Sequence, residues 1–393
     1  MPQKSLGPTV KVSRRGAERL KSGHVWVYRS DVSANGIAPG ALVNVADDRG
    51  KSLGTALYSS SSQIAIRMLG SGTVSDLVSL VRERIRAAIA YREQVVRASD
   101  AYRLVFSEAD FLPGLIVDRY NDVLSMQVLT QAMDADPLRA AIVAELTETL
   151  KPAAIAERVD PRIRELEQLP ARASGLVFGE KGGTTFTMND VRFHFDAMEG
   201  QKTGAFLDQR ENYAAAAQYA KGDALDVFCY QGGFGLHLAQ KCGKVTGVDS
   251  SRPALEVADQ NAALNGREVE WIEANAFDLL KDYSVSGRQY DTIVLDPPAF
   301  AKSKQNLDTA MRGYKELNLR ALKMLRPGGI LVTCSCSYHV SDAAFLEMVG
   351  SASSDAHRPL RLIEKRGQSK DHPVLVTVPE TSYLKCLILH VNN

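Results

Sequence analysis

The spacing of hydrophobic positions changes twice along this chain, and each change predicts a different kind of structure. Residues 9–69 alternate apolar and polar in short runs, Trp26-Val27-Tyr28, then 40–45, 52–57 and 63–68, with Asp47-Asp48-Arg49-Gly50 as a turn between two of them. This pattern predicts a small β-barrel. Residues 75–97 shift to helical spacing, with Leu77, Leu80, Val81, Ile85, Ala88 and Ile89 on one stripe, and predict a linker helix. The runs 104–105, 114–118 and 123–129 then read as a three-stranded meander turned at Asn121-Asp122, followed by a helix at 137–150 and strands near 154–157 and 184–191. Between these last two strands, 161–174 is rich in charge with Pro and Ala and is predicted to be a mobile loop.

From about Phe193 strands and helices alternate, which predicts a parallel sheet with crossover helices. Its strands fall at 224–229, 244–249, 268–273, 291–295 and 329–335. Two last apolar runs, 374–378 and 384–391, joined by Pro379-Glu380-Thr381-Ser382, predict a terminal hairpin that adds an antiparallel strand. The expected class is α/β, with a Rossmann-like sheet at 192–393, preceded by a β-barrel at 1–70 and a linker helix with a central α+β domain at 71–191.

Composition changes the picture in three respects. The 393 residues, 45% hydrophobic and 24% charged, suit a globular protein with more than one core. No stretch approaches the ~18 uninterrupted apolar residues of a membrane span, and Met1-Pro2-Gln3-Lys4 leads into charged sequence without the apolar core of a signal peptide. A cytoplasmic protein with no membrane partner is expected. Cys229, Cys242, Cys334, Cys336 and Cys386 form neither a disulfide framework nor paired zinc half-sites, so reduced thiols are expected. Cys334, Cys336 and His339 lack a second ligand pair nearby, and no metal is expected. The net charge of +1 hides an asymmetry, because residues 1–70 hold 10 Lys and Arg against 4 Asp and Glu. Such a basic segment can contact nucleic-acid phosphates or form a merely solvated face.

Ligands of doubly wound sheets sit beyond the carboxyl ends of the strands, and the motifs of this chain fall there. The first strand runs into Asp226-Val227-Phe228-Cys229-Tyr230-Gln231-Gly232-Gly233-Phe234-Gly235, where glycine lets the backbone approach a ligand. Asp226, Phe228, Cys229, Tyr230, Gly232 and Gly233 are its candidate contacts. The second strand ends in Val248-Asp249, whose carboxylate can accept both ribose hydroxyls of a nucleoside cofactor. After the third, Asn275-Ala276 occupy the place of an adenine contact, with Asn275 for the adenine amino group. The fourth ends in Asp296-Pro297-Pro298-Ala299-Phe300, where the prolines hold a carboxylate and the following carbonyls toward the ligand. The fifth ends in Thr333-Cys334-Ser335-Cys336-Ser337, and of its cysteines only Cys336 is well placed for a substrate pocket. Before the first strand, residues 200–210 are dense in polar groups and are expected to fold over the cofactor through Thr203, Phe206 and Arg210.

At these residues the sequence resembles the RNA 5-methylcytosine methyltransferases of the ribosomal large subunit methyltransferase I type, over essentially the whole chain. Gly23-His24-Val25-Trp26-Val27-Tyr28 and Tyr58-Ser59 look like that family's PUA domain, and Gly114-Leu115-Ile116-Val117-Asp118-Arg119-Tyr120 looks like its central domain. Lys202-Thr203-Gly204, Asp208-Gln209-Arg210, Asp296-Pro297-Pro298 and Ser335-Cys336-Ser337 are the more specific matches, while Asn275 and Ala299 depart from the pattern. The resemblance implies a class I methyltransferase sheet, S-adenosylmethionine as cofactor, and ribosomal RNA, 23S foremost, or a ribosomal particle as partner. It also implies that Cys336 attacks C6 of a cytosine while Asp296 holds the base. Thiolate addition makes C5 enamine-like and able to take a methyl group. The modified nucleotide, the acceptor of the C5 proton and the oligomeric state, a homodimer included, stay open. Competing readings are methylation of uracil C5 or guanine N7, a small-molecule substrate, and a catalytically silent assembly factor. A nitrogen target needs no nucleophile, which counts against N7.

Overall fold

The computed structural model describes residues 7–198, 204–301 and 304–392; Lys202 and Thr203, singled out above, lie outside them. The chain divides into two compact units. One comprises Met1–Thr184, Phe195–Gly204 and Lys370–Thr381, and the other Thr185–His194, Ala205–Ser369 and Ser382–Asn393.

The first unit opens with six strands, β1 (Thr9–Val12), β2 (Trp26–Tyr28), β3 (Val32–Ser33), β4 (Leu42–Ala46), β5 (Ser52–Tyr58) and β6 (Ile64–Gly70), in the order β2-β6-β5-β4-β1-β3. Val10, Val12, Val43, Val45, Ala56 and Ile66 fill their inner face. A helix that strand-like spacing hides, α1 (Arg14–Lys21), interrupts the run. Ser13 starts it by accepting from the Gly16 N–H, and Arg19 and Lys21 end it where the helix dipole favours cations. The helix α2 (Leu77–Val95) buries Val81, Ile85, Ala88 and Ile89 of the predicted stripe. These side chains share one apolar cluster with Leu57 and Leu69 of β5 and β6 and with the next sheet. That sheet holds β7 (Ala101–Phe106), β8 (Leu115–Tyr120), β9 (Val123–Val128), β10 (Ala154–Glu157) and β11 (Gly175–Gly179), with α3 (Asp136–Leu150) between β9 and β10.

Residues 161–174 are not a featureless loop. They begin as α4 (Pro161–Leu166), whose cap Asp160 accepts the Arg162 and Ile163 N–H groups and whose first position takes the proline. Charge fastens the stretch: Arg164 pairs with Asp134 at 2.9 Å, and Glu167 pairs with Arg67 at 3.1 Å and receives the Ser59 hydroxyl at 2.8 Å. Residues 184–191, read as one strand, form a hairpin of β12 (Gly183–Met188) and β13 (Val191–Asp196). Its turn is made by Asn189 and Asp190, both left-handed at φ 49° and 65°.

The second unit carries β14 (Asp223–Val227), β15 (Lys244–Asp249), β16 (Glu270–Glu273), β17 (Tyr290–Leu295), β18 (Leu325–Ser335), β19 (Leu360–Arg366) and β20 (Lys385–Val391). Their order is β16-β15-β14-β17-β18-β20-β19; the first five run parallel, and β20 pairs antiparallel with both β18 and β19. The helices are α5 (Arg210–Tyr219), α6 (Gly233–Leu238), α7 (Arg252–Leu264), α8 (Ala276–Val285), α9 (Leu307–Met324) and α10 (Asp342–Asp355). Leu225, Ile293, Leu295 and Leu331 of the strands pack with Leu317, Leu322 and Phe345 of α9 and α10.

The predicted terminal hairpin is corrected here. Besides β18, the antiparallel partner of β20 is the charged edge strand β19, and residues 374–378 form no strand. Hydrophobic patterning overlooks LRLIEKR because edge strands carry charge. Lys370–Thr381 belongs to the first unit. There Asp371 accepts the Arg103 N–H on its carboxylate and the Arg92 guanidinium on its carbonyl, each at 2.8 Å, while Glu380 pairs with Arg19 and His24 at 3.0 Å.

Candidate active site

Strand register decides where the chemistry-bearing side chains end up. Val227 stands opposite both Val248 and Leu295, and Leu295 opposite Thr333, so β14, β15, β17 and β18 finish nearly level. The loop from Phe228, then Asp249, Asp296 and Cys336, therefore lie along one edge of the sheet, the carboxyl edge that binds ligands in such folds. Asn275 and Ala276 start α8 just after β16, at the same edge.

The loop after β14 is strained and tightly seated. Phe228 and Tyr230 are left-handed at φ 67° and 49°, and both the Phe228 and Cys229 N–H groups donate to the Val248 carbonyl. A Cβ on Gly247 would stand 2.3 Å from the Trp271 ring, and one on Gly232, itself at φ +85°, 2.9 Å from it, so the indole packs where only glycine leaves room. A Cβ on Gly233 would stand 2.5 Å from the Tyr213 hydroxyl. Asp226 is fully buried beneath this loop. One of its oxygens accepts the Gly235 N–H at 2.7 Å, the other has no partner among the described residues, and burial pushes the carboxyl up to about 7.

Asp249 is half-buried and held from two sides, by the Tyr230 N–H on one oxygen and the Ser251 N–H on the other, each at 2.9 Å. Each oxygen keeps a second lone pair. The Tyr230 ring meets Phe206 edge-on at 5.1 Å, and the buried Arg210 opens α5. Cys229 is buried, which drives its thiol well up. The Asn275 oxygen caps α8, accepting from Phe277 at 2.9 Å, so it serves the helix first; the sequence assigned that oxygen to an adenine amino group. Ala276 is buried as the first helical residue.

Sequence reasoning did not give Gln209 a role of its own. Its amide donates to Asp296 at 3.0 Å and accepts from Asn212 at 2.7 Å, and Asn212 in turn receives Arg366 at 2.9 Å. The signal was Gln209's place in the Asp208-Gln209-Arg210 motif, but only the fold brings it to Asp296. Burial, with Asp208 and Asp226 adding repulsion, pushes Asp296 up to about 8, although water still reaches part of the side chain. The two neighbouring cysteines differ sharply. Cys334 is fully buried opposite Cys386, and burial drives its thiol well up, whereas Cys336 lies one residue beyond β18 and is half-buried.

A PUA-like domain matches residues 10–71, and an S-adenosylmethionine-dependent methyltransferase matches residues 112–388. Ribosomal RNA large subunit methyltransferase I of Photobacterium profundum is 38% identical over 392 residues, covering 96% of this chain and 98% of that protein. The chain belongs to that family. The protein of the same description from Shewanella denitrificans is 38% identical over 390 residues, covering 96% of this chain and 98% of its own length. The fold is shared with SMU.776, a proposed methyltransferase solved with SAH, at a TM-score of 0.84 and 19% identity, covering 98% of this chain and all of the other. A proposed methyltransferase structure from Streptococcus mutans gives 0.83 at the same identity and coverage.

The family's cofactor is S-adenosylmethionine, and the strand-end residues suit it. The buried Asp226 oxygen without a partner among the described residues and the open lone pairs of Asp249 are acceptors of the kind a cationic amino acid end and a ribose diol call for. If Asp249 holds the ribose hydroxyls, Asp249→Ala should weaken cofactor binding by about 1.5–3 kcal/mol, the range for hydrogen bonds to a charged group. Calorimetry checks this, and an unchanged dissociation constant in a folded variant removes Asp249 from the site.

Proposed function

We propose that this protein, an S-adenosylmethionine-dependent methyltransferase of large-subunit ribosomal RNA, methylates C5 of a cytosine in 23S RNA through a covalent bond from Cys336 to C6. The observation that carries the reading is the contrast at the end of β18, where Cys334 is sealed in the core and Cys336 is half-open at the ligand edge. Bound S-adenosylmethionine supplies an electrophilic methyl group on a sulfonium.

The residues of the chain account for the rest. The Cys336 thiolate adds to C6, forming the S–C6 bond and pushing electron density toward C5 and N3. Asp296, kept largely neutral by its surroundings, donates toward N3, and the Pro297 carbonyl accepts from the exocyclic amino group. C5 then takes the methyl group, gives up its proton to a base, and the S–C6 bond breaks to release the enzyme. C6 is reachable only in an unpaired or flipped-out base, and the PUA-like segment with its excess of basic residues supplies phosphate contacts that hold the RNA. Mapping 5-methylcytosine in 23S RNA from cells with and without the protein tests the reading. One cytosine should lose its methyl group. A loss at uracil C5 or at a ring nitrogen overturns the assignment.

A further inference from the structure

Below Cys336 lies a buried cation that the reaction described above does not use. Lys385, on β20, is 6% exposed. Its Cα stands opposite Ser335, and its Nζ donates to the Ser337 carbonyl at 2.6 Å and to the Tyr383 carbonyl at 2.8 Å. No carboxylate lies within ion-pair distance of it among the described residues, and its third N–H has no partner there. A lysine withdrawn from water without a counter-ion is costly, so such a position calls for a reason.

The neighbours of Lys385 supply one. Ser335 and Ser337, the residues on either side of Cys336, are tied by hydroxyl contacts to Tyr314 of α9, at 3.0 and 2.9 Å. The Ser337 hydroxyl also accepts the Ala301 N–H at 3.1 Å. Backbone and side chains on both sides of Cys336 are thus fixed, and the ammonium sits on the carbonyl of the very next residue. Among the titratable groups of the described residues that bear on Lys385 or Cys336 are Tyr314 from α9, Asp342 from the start of α10, and each other. Of these only Lys385 is a cation, and Asp342 is occupied by Lys365 at 2.8 Å.

We propose that Lys385 is a positioning residue for Cys336, fixing the Ser337 carbonyl and supplying the positive charge that favours the thiolate before it adds to C6. The thiol proton leaves for solvent, and the sulfur keeps the electron pair that forms the S–C6 bond. Burial lowers the proton affinity of Lys385, and the attraction of Cys336 and Asp342 opposes that, so thiolate and ammonium stabilise one another. The inference rests on Cys336 as nucleophile, but its test does not depend on methyl transfer.

The test is the pH dependence of Cys336 alkylation by iodoacetamide in the full-length protein, with the modified residue located by mass spectrometry. Lys385→Met and Lys385→Gln should each move the alkylation midpoint up by about 1–3 pH units, the usual effect of a nearby unit charge. Lys385→Arg should stay close to wild type, and cofactor affinity measured by calorimetry should be retained in all three. The glutamine variant keeps an N–H for the Ser337 carbonyl without the charge, and it carries the test if the methionine variant does not fold. A midpoint in Lys385→Gln equal to that of wild type overturns the proposal. If instead Cys336→Ala still methylates RNA while the Lys385 variants shift the midpoint, the nucleophile reading fails and the Lys385 effect stands.

Discussion

Ribosomal RNA transcribed with 5-fluorocytidine should trap the wild-type protein as a covalent adduct, and Cys336→Ala should form none. Fluorine at C5 cannot leave as a cation, so elimination stalls after methyl transfer with the S–C6 bond intact. On ordinary RNA the same variant should lose methyl transfer by at least about 10⁴-fold, the scale seen when a covalent nucleophile is removed. Its cofactor affinity should persist, because the residues proposed to hold the cofactor lie at the ends of β14 and β15 rather than of β18. Cys334→Ala should keep activity and cost about 1 kcal/mol of packing, since its side chain is enclosed opposite Cys386. An adduct on Cys334, or near wild-type turnover by Cys336→Ala, would refute the covalent assignment.

Asp296 should set the upper limit of the pH profile. Its carboxyl is pushed up to about 8, so it is mostly protonated at neutral pH and loses its proton as pH rises through that value. If the protonated form donates to N3, kcat should fall above about pH 8 while ionisation of Cys336 governs the acid limb. Asp296→Asn can offer an N–H but no transferable proton; kcat should drop about 10²–10⁴-fold, with the alkaline limb lost. Single-turnover methyl transfer across the pH range is the measurement. A falling limb that survives in Asp296→Asn assigns it to another group.

Much of this site was legible because its residues follow strand ends, and strand ends are local features. Asp249 and Asp296 each close a run of apolar residues, and a carboxylate there has few structural uses. The glycines at 232 and 233 also announced themselves, although the ring that packs against Gly232 and Gly247, Trp271, did not. What stayed hidden depends on pairing between distant segments. Gln209 reaches Asp296 across 87 residues of sequence, and Lys385 reaches the Cys336 turn only because β20 runs antiparallel to β18 in a particular register. In the fold as a whole, α1 is too short to leave a clear helical period. The charges of β19 disguised an edge strand, and the apolar run at 374–378 competed with it for the role of partner to β20.

The placement of Lys370–Thr381 also bears on how the protein is made. Arg92 and the Asp371 carbonyl that receives it are 279 residues apart, and Glu380 is 361 residues from Arg19. Domains at the amino end of a chain commonly fold as they leave the ribosome. Here the first unit stays short of its closing segment until residues 370–381 have been made, after the strands and helices of the second unit up to β19. A chain cut before residue 370 would therefore lose more than a tail, because buried Arg92 would be left without the Asp371 carbonyl and half-buried Arg19 without Glu380.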